Sequence, residues 1–213
     1  MKYRADSYLG GGPRDGRVLN AMRAIDRAAF LPYDSRGAAY LDEPVDIGLG
    51  QTCSQPSMVA FMLDRLEVHP GARVLEVGAG CGYAAAALAL LCSPGGSVTA
   101  VEILPALATM ARANCTVALS GLGPVAGVPV EVLAGDGSAG LPEHAPFDRI
   151  LLSAGVSRRS FKEEPLLEQL PEGGILLYPE ARGRLYRLTR RNGGLVRDSW
   201  TGVAFVRLWG KNG

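Results

Sequence analysis

The sequence predicts an α/β fold: a doubly wound, mostly parallel sheet with a helical N-terminal segment before it and antiparallel strands after it. Three observations predict it. Val74-Leu75-Glu76-Val77 reads as a buried strand running at once into Gly78-Ala79-Gly80-Cys81-Gly82, and an alanine-rich helix opens at Tyr83. Further short apolar runs at 99–102, 130–133, 147–152 and 174–178 alternate with helical stretches, the rhythm of βαβ units. Beyond residue 180, two runs flank Asn192-Gly193-Gly194, a hairpin signal. One domain over 1–213 is expected, made of an N-terminal helical and substrate-site segment (1–70), a cofactor-binding core (71–180), and a closing hairpin with a last strand (181–213).

Taken in order, residues 1–16 are rich in glycine and charge and are expected to be mobile or loosely docked. Val18, Leu19, Met22, Ile25 and Phe30 are spaced for one helix over 17–30, ended by Leu31-Pro32. Pro44, Gly48 and Gly50 make 38–50 an irregular loop. Pro56 suits the first turn of a helix that runs to about Leu66, with Val59, Met62, Leu63 and Leu66 on one face. Another helix starts at Pro105, with Leu107, Met110, Ala111 and Ala118 facing inward. Residues 120–129 are a glycine- and proline-rich loop, 158–164 a charged exposed stretch, 165–170 a short helix, and 202–209 the last strand. The strand over 147–152 ends in Ser153-Ala154-Gly155, a position where open α/β sheets hold ligands.

The 213 residues are 47% apolar and 20% charged, with 22 basic and 21 acidic groups, as in a globular chain. A net charge of +1 lowers the weight of a nucleic-acid partner. Cys53, Cys81, Cys92 and Cys115 have no C-x-x-C spacing, and His69 and His144 sit beside loop signals, so no metal is expected. The start of the sequence has no apolar signal core, and the longest apolar run, 83–92, is too short to span a bilayer. No membrane association and a cytoplasmic location are the expectation.

The glycine motif carries the cofactor chemistry. Glycines after a buried strand let a ligand lie against the backbone, and the following helix N-terminus favours it. The spacing is G-x-G-x-G, preceded by Glu76, and Glu102 closes the next strand about 20 residues on, where a carboxylate accepts from ribose hydroxyls. That pattern is the one seen in S-adenosyl-L-methionine-dependent methyltransferases with a Rossmann-like fold. Gly78, Ala79, Gly80 and Gly82 are then expected at the methionine and ribose end, Glu102 at the ribose, and Glu76 behind the loop amides or the methionine amine.

With these residues in view, the chain resembles the protein-L-isoaspartate (D-aspartate) O-methyltransferases from about residue 18 to 208. The most specific piece is Gly50-Gln51-Thr52-Cys53-Ser54-Gln55-Pro56, similar to that family's G-Q-T-I-S-Q-P. Asp26-Arg27-Ala28-Ala29-Phe30-Leu31-Pro32 resembles its P-R-x-x-F-V-P, and Gly135-Asp136-Gly137 with Ala145-Pro146-Phe147-Asp148 its G-D-G and A-P-Y-D. The sequence departs at Cys53, at Cys81, at Val156-Ser157-Arg158-Arg159 and at Phe205-Val206-Arg207-Leu208, where the family has Y-V-P-L framing the peptide site.

The resemblance implies methyl transfer from S-adenosyl-L-methionine to the α-carboxylate of isoaspartyl residues in peptides and proteins. S-adenosyl-L-homocysteine is the product left behind, and the ester then closes to a succinimide. No general base is needed, because a carboxylate of pKa about 4 is already ionised. Ser54 is the catalytic candidate, its hydroxyl donating to the substrate carboxylate at the start of the helix from Pro56, whose free N–H groups and dipole favour an anion. Gln51 and Thr52 are expected beside it in the substrate pocket, and Asp136 with Gly137 at the adenine. Other readings stay open: Ser54 as a helix cap, Asp136 as a turn residue, and Cys53 as a small buried apolar group with an ordinary thiol. At the level of function, a carboxyl methyltransferase for a dedicated peptide and a non-catalytic binding protein of the same fold are the alternatives. Oligomeric state is not legible.

Overall fold

The computed structural model describes residues 15–122 and 127–213. The expected mobility of 1–16 lies almost wholly outside them, as do residues 123–126 of the 120–129 loop. Seven strands form one sheet in the order β5-β4-β3-β6-β7-β8-β9. β3 (Arg73–Val77), β4 (Ser97–Glu102), β5 (Val130–Ala134), β6 (Arg149–Leu152) and β7 (Ile175–Pro179) are parallel, while β8 (Arg182–Arg191) and β9 (Gly194–Ala204) add antiparallel at one edge.

The order has one consequence for function. From β3 the chain steps through helix α3 (Tyr83–Leu91) to β4, and through α4 (Pro105–Ser120) to β5. It then returns to the other side of β3 to lay down β6. The crevice above the β3–β6 boundary is the switch point at which such sheets bind ligands. The inner parallel strands β3, β4, β6 and β7 are buried on both faces, which explains their apolar runs, while β5 at the edge is only partly covered.

The N-terminal segment differs from the expectation of a single helix. α1 covers Gly16–Ala24, capped by Asp15, whose carboxylate accepts from the Arg17 N–H at 2.9 Å. Ile25 is extended, and Asp26 caps a separate 3₁₀ turn, Arg27–Phe30. The local side-chain cap outcompetes continuation of the helix. Residues 38–50 are not wholly irregular either. β1 (Val45–Gly48) and β2 (Gln51–Cys53) pair as a hairpin closed by Leu49-Gly50, both with positive φ. The geometry is that of a primed two-residue turn, but leucine in its first position hides the signal. Val45 and Ile47 point into the core, so the hairpin is anchored beside the glycine loop.

Helix α2 (Pro56–Leu66) starts where Pro56 suggests and is buried along its whole length between the N-terminal segment and the sheet. Phe61 packs edge-on against Trp200, and Phe30 against Tyr83, joining the N-terminal segment to the core. The short helix α5 is Glu164–Leu167. The expected last strand over 202–209 is corrected. β9 ends at Ala204, after Gly202 supplies an extra residue opposite Gly183/Arg184, and the chain then crosses to bridge Arg207 with Gly155. No helix among the described residues is long and apolar enough to cross a membrane.

Candidate active site

Two adjoining clefts, about 540 and 500 Å³, open at the switch point and share Thr52, Gly78, Gly80 and Ser153. Gln51, Glu102, Gly137, Arg207 and Trp209 line the first. Cys53, Ser54, Glu76, Ala79, Cys81, Tyr83 and Phe205 line the second. Of the site residues expected from sequence, the fold brings Gln51, Thr52, Ser54, Glu76, Gly78, Ala79, Gly80, Glu102 and Gly137 to these two clefts.

The glycine loop is held open by long-range contacts. Gly78 and Gly80 have φ of 89° and 55°, and the N–H groups of Gly78 and Ala79 both donate to the Val101 carbonyl. Glu102 accepts from the Gly80 N–H at 2.9 Å on Oε2 and from the Leu104 N–H at 3.0 Å on Oε1. Each carboxylate oxygen keeps capacity for one further donor, as two vicinal hydroxyls require. Gly82 has another role than the one expected. It lies off the clefts, and a Cβ there would come within 2.8 Å of Cys115 Sγ and 2.9 Å of the Ala111 carbonyl oxygen. Close packing of α3 on α4 requires that glycine.

Asp136 stands beside the first cleft rather than in its lining. Its side chain is exposed and lines neither cleft, while its carboxylate accepts from the N–H of Ser138 and of Lys211, each at 2.9 Å. It folds the turn and ties down the 208–213 segment, the use that a Gly-Asp-Gly turn favours. Its neighbours Gly135 and Gly137 face the first cleft.

Glu76 is 1% exposed. Its Oε1 accepts from the Ser153 hydroxyl at 2.6 Å, and its Oε2 has no partner among the described residues. Burial pushes the carboxyl up to about 8; the Ser153 hydroxyl opposes this and the Glu102 charge adds to it. A buried carboxylate oxygen with no partner, in a cleft whose floor is a glycine loop, fits the ammonium of the amino-acid end of S-adenosylmethionine. Between its ordinary 4.5 and about 8, the folded chain holds a proton that the unfolded chain gives up, so stability falls as pH rises through that window. An ammonium against Oε2 favours the ionised form and expels the proton. Binding of S-adenosylhomocysteine near pH 7 is therefore expected to release about one proton, read by calorimetry in buffers of different ionisation enthalpy. Glu76→Gln should abolish the release and weaken binding about tenfold; buffer-independent heats in the parent protein would contradict it.

The substrate end is built differently from the expectation. Ser54 does not cap α2: Gln55 holds that position, and its side chain bonds Ser57 Oγ instead. The helix N-terminus is not free for an anion either. Pro56 has no N–H, the Ser57 N–H donates to Asp42 Oδ1 at 2.9 Å, and the Met58 and Val59 N–H groups go to the Gln55 carbonyl. The Asp42 carboxylate has taken the place foreseen for the substrate's. What remains for the substrate is the Ser54 hydroxyl, for which the structure shows no partner among the described residues.

Beneath it lies Arg27, 0% exposed, with no carboxylate in ion-pair range among the described residues. Its guanidinium donates to the carbonyls of Ala39, Cys53 and Ser54, the last at 3.0 Å, and lies over the Tyr83 ring. The fork of donors fixes the 53–54 peptide and places a buried positive charge under the cleft. Cys53 is buried as expected, but its thiol is not ordinary. A hydrogen bond from Cys81 lowers its pKa against the opposing effect of burial, and the Arg27 charge lowers it further; Cys81 is raised in turn. Asp42 and Arg27 carried no local signal of these roles, because both act through contacts 12 to 27 residues away in the chain.

The family model described as protein-L-isoaspartate(D-aspartate) O-methyltransferase matches residues 11–213. A protein-L-isoaspartate O-methyltransferase of Aeropyrum pernix is 46% identical over 201 residues, 92% of this chain and 74% of that protein. A solved structure of a protein-L-isoaspartate O-methyltransferase superposes with a TM-score of 0.78 at 27% identity, over 93% of this chain and 63% of that one. The structure of the Plasmodium falciparum counterpart, in complex with S-adenosyl-L-homocysteine, also reaches 0.78, at 28% identity over 93% of this chain and 92% of that one. With its glycine loop, Glu102 and Ser54 gathered at one switch point, and with nearly its whole length matched, this chain belongs to the protein-L-isoaspartate (D-aspartate) O-methyltransferase family.

Proposed function

We propose that this chain transfers the methyl group of S-adenosyl-L-methionine to the α-carboxylate of L-isoaspartyl residues in peptides and proteins. The ester so formed closes to a succinimide, which reopens in part to normal aspartate, so that damaged chains are repaired. The observation that carries the proposal is that Ser54, Glu76 and the glycine loop line one cleft. When bound, S-adenosylmethionine supplies a methyl group already activated by its sulfonium. The residues of this chain bind and align. Glu102 and Gly137, which line the first cleft, would hold the nucleoside, and Glu76, which lines the second, the amino-acid end.

The substrate carboxylate arrives ionised, so the protein has no proton to remove. The Ser54 hydroxyl donates one hydrogen bond to it, enough to orient an oxygen without neutralising it. The buried Arg27 charge offsets part of the cost of taking that anion out of water. Val59, Met62, Leu63 and Phe205 form an apolar wall that excludes water. Alignment of this kind contributes about 7–11 kcal/mol in favourable cases.

Labelled methyl transfer tests the proposal, with an isoaspartyl peptide run beside the aspartyl peptide of the same sequence. Label in the first and none in the second is expected. Equal labelling points to a carboxyl methyltransferase of different specificity, and no labelling with S-adenosylhomocysteine still bound points to a binding protein.

A further inference from the structure

We infer that Arg207, together with Arg182, selects isoaspartyl substrates whose neighbouring residues are acidic. The inference rests on the proposed function and adds the class of substrate. Arg207 and Trp209 line the first cleft beside Thr52 and Gly78, and they also line a second groove of about 930 Å³ that leads away from it. The charged side chains of that groove are Arg158, Arg182, Arg207 and one acid, Glu180.

Glu180 is already engaged, with three of its acceptor sites taken. It is 4% exposed, its Oε1 takes Arg158 Nε at 2.8 Å and the Tyr186 hydroxyl at 3.2 Å, and its Oε2 takes the Arg184 N–H at 2.9 Å. The charge of Arg158 is answered. Neither Arg182 nor Arg207 has a carboxylate in ion-pair range among the described residues; of the other hairpin arginines, Arg187 and Arg197 are paired and Arg184, Arg190 and Arg191 are not, but only Arg182 of the hairpin arginines lines this groove. Among the described residues, two guanidiniums without a carboxylate partner thus line the groove that adjoins the first cleft.

The backbone fixes this presentation. The Gly155 N–H donates to the Val206 carbonyl at 2.7 Å and the Leu208 N–H to the Gly155 carbonyl at 2.8 Å, so Arg207 is held between two clamped residues. Trp209, half exposed, adds an aromatic surface beside it. Arginine and tryptophan together, with no internal partner for the charge, are the residue types that dominate peptide contacts. Acidic side chains flanking the isoaspartyl residue complement that charge, while the Ser54 hydroxyl, in the adjoining cleft, stays the donor for the isoaspartyl carboxylate.

The test measures kcat/KM for three isoaspartyl peptides of equal length, flanked by glutamates, glutamines or lysines. The glutamate peptide is expected to exceed the glutamine peptide about fivefold, the size that one or two exposed charge pairs supply, with the lysine peptide lowest. The ratio should shrink with added salt, collapse in the doubly substituted Arg182→Gln, Arg207→Gln protein, and persist in Arg207→Lys. Because the ratio is taken within each variant, partial loss of folded protein does not alter it. Equal kcat/KM for the three peptides overturns the inference, and so does a preference that survives the double substitution. Methylation of none of them overturns the proposed function, and the inference with it.

Discussion

Ser54→Ala is expected to lower kcat about a hundredfold while leaving the affinity for S-adenosylhomocysteine within about twofold. The hydroxyl lines the second cleft, makes no hydrogen bond within the described residues, and does not cap α2, so its removal leaves no local structure unmet. Its loss removes the donor that orients an oxygen for in-line attack. Stability should change by less than about 0.5 kcal/mol, as for a surface substitution without partners. Single-turnover kinetics and calorimetry read the two quantities separately. Equal losses of turnover and cofactor affinity would assign Ser54 to the cofactor side of the cleft.

Arg27→Met is expected to act through the fold first. The substitution keeps the apolar stem and removes three hydrogen bonds, leaving the carbonyls of Ala39, Cys53 and Ser54 without that donor in a buried position. Relief from burying a cation without a carboxylate offsets part of this. The net cost should be about 3 kcal/mol, a fall in Tm of roughly 6–12 °C for a domain of this size. At temperatures where the variant remains folded, kcat/KM should still fall at least about tenfold, since the 53–54 peptide is no longer pinned. Arg27→Lys separates the two effects. It restores the charge but not the fork, so Tm should recover further than kcat/KM. A Met variant with parental Tm and activity would show that Arg27 is a bystander.

The two residues at the centre of these expectations were not equally legible. Ser54 stands in the most specific stretch of the chain, 50–56, and its residue type and neighbours suffice to nominate it. Arg27 is part of a segment that the family resemblance covers, yet nothing in that segment says it reaches under residue 54. The helix dipole proposed to hold the substrate was a sound inference from Pro56 and became untenable only because Asp42, 15 positions before Ser57, folds back onto the same N–H. Asp136 illustrates the converse. Its turn chemistry is visible in Gly135-Asp136-Gly137, and the contact with Lys211, 75 residues on, adds a tie that no local pattern shows.

The sequence by itself determined the strand–glycine loop–helix unit, the acid that closes the next strand, the parallel core and the family. Each of these is written in neighbouring residues, through steric freedom at glycine, strand and helix periodicity, and the start of a helix at proline. Only the tertiary structure decided that burial raises the Glu76 carboxyl, that Cys81 and Arg27 lower the Cys53 thiol, that Arg27 stands beneath the cleft with no carboxylate partner among the described residues, and that Arg182 and Arg207 face a groove whose one acidic side chain is engaged by Arg158. The physical reason is the same in each case. The energy of a charge or a proton is set by the water it loses and the partners it meets, and both are supplied by segments far away in the chain.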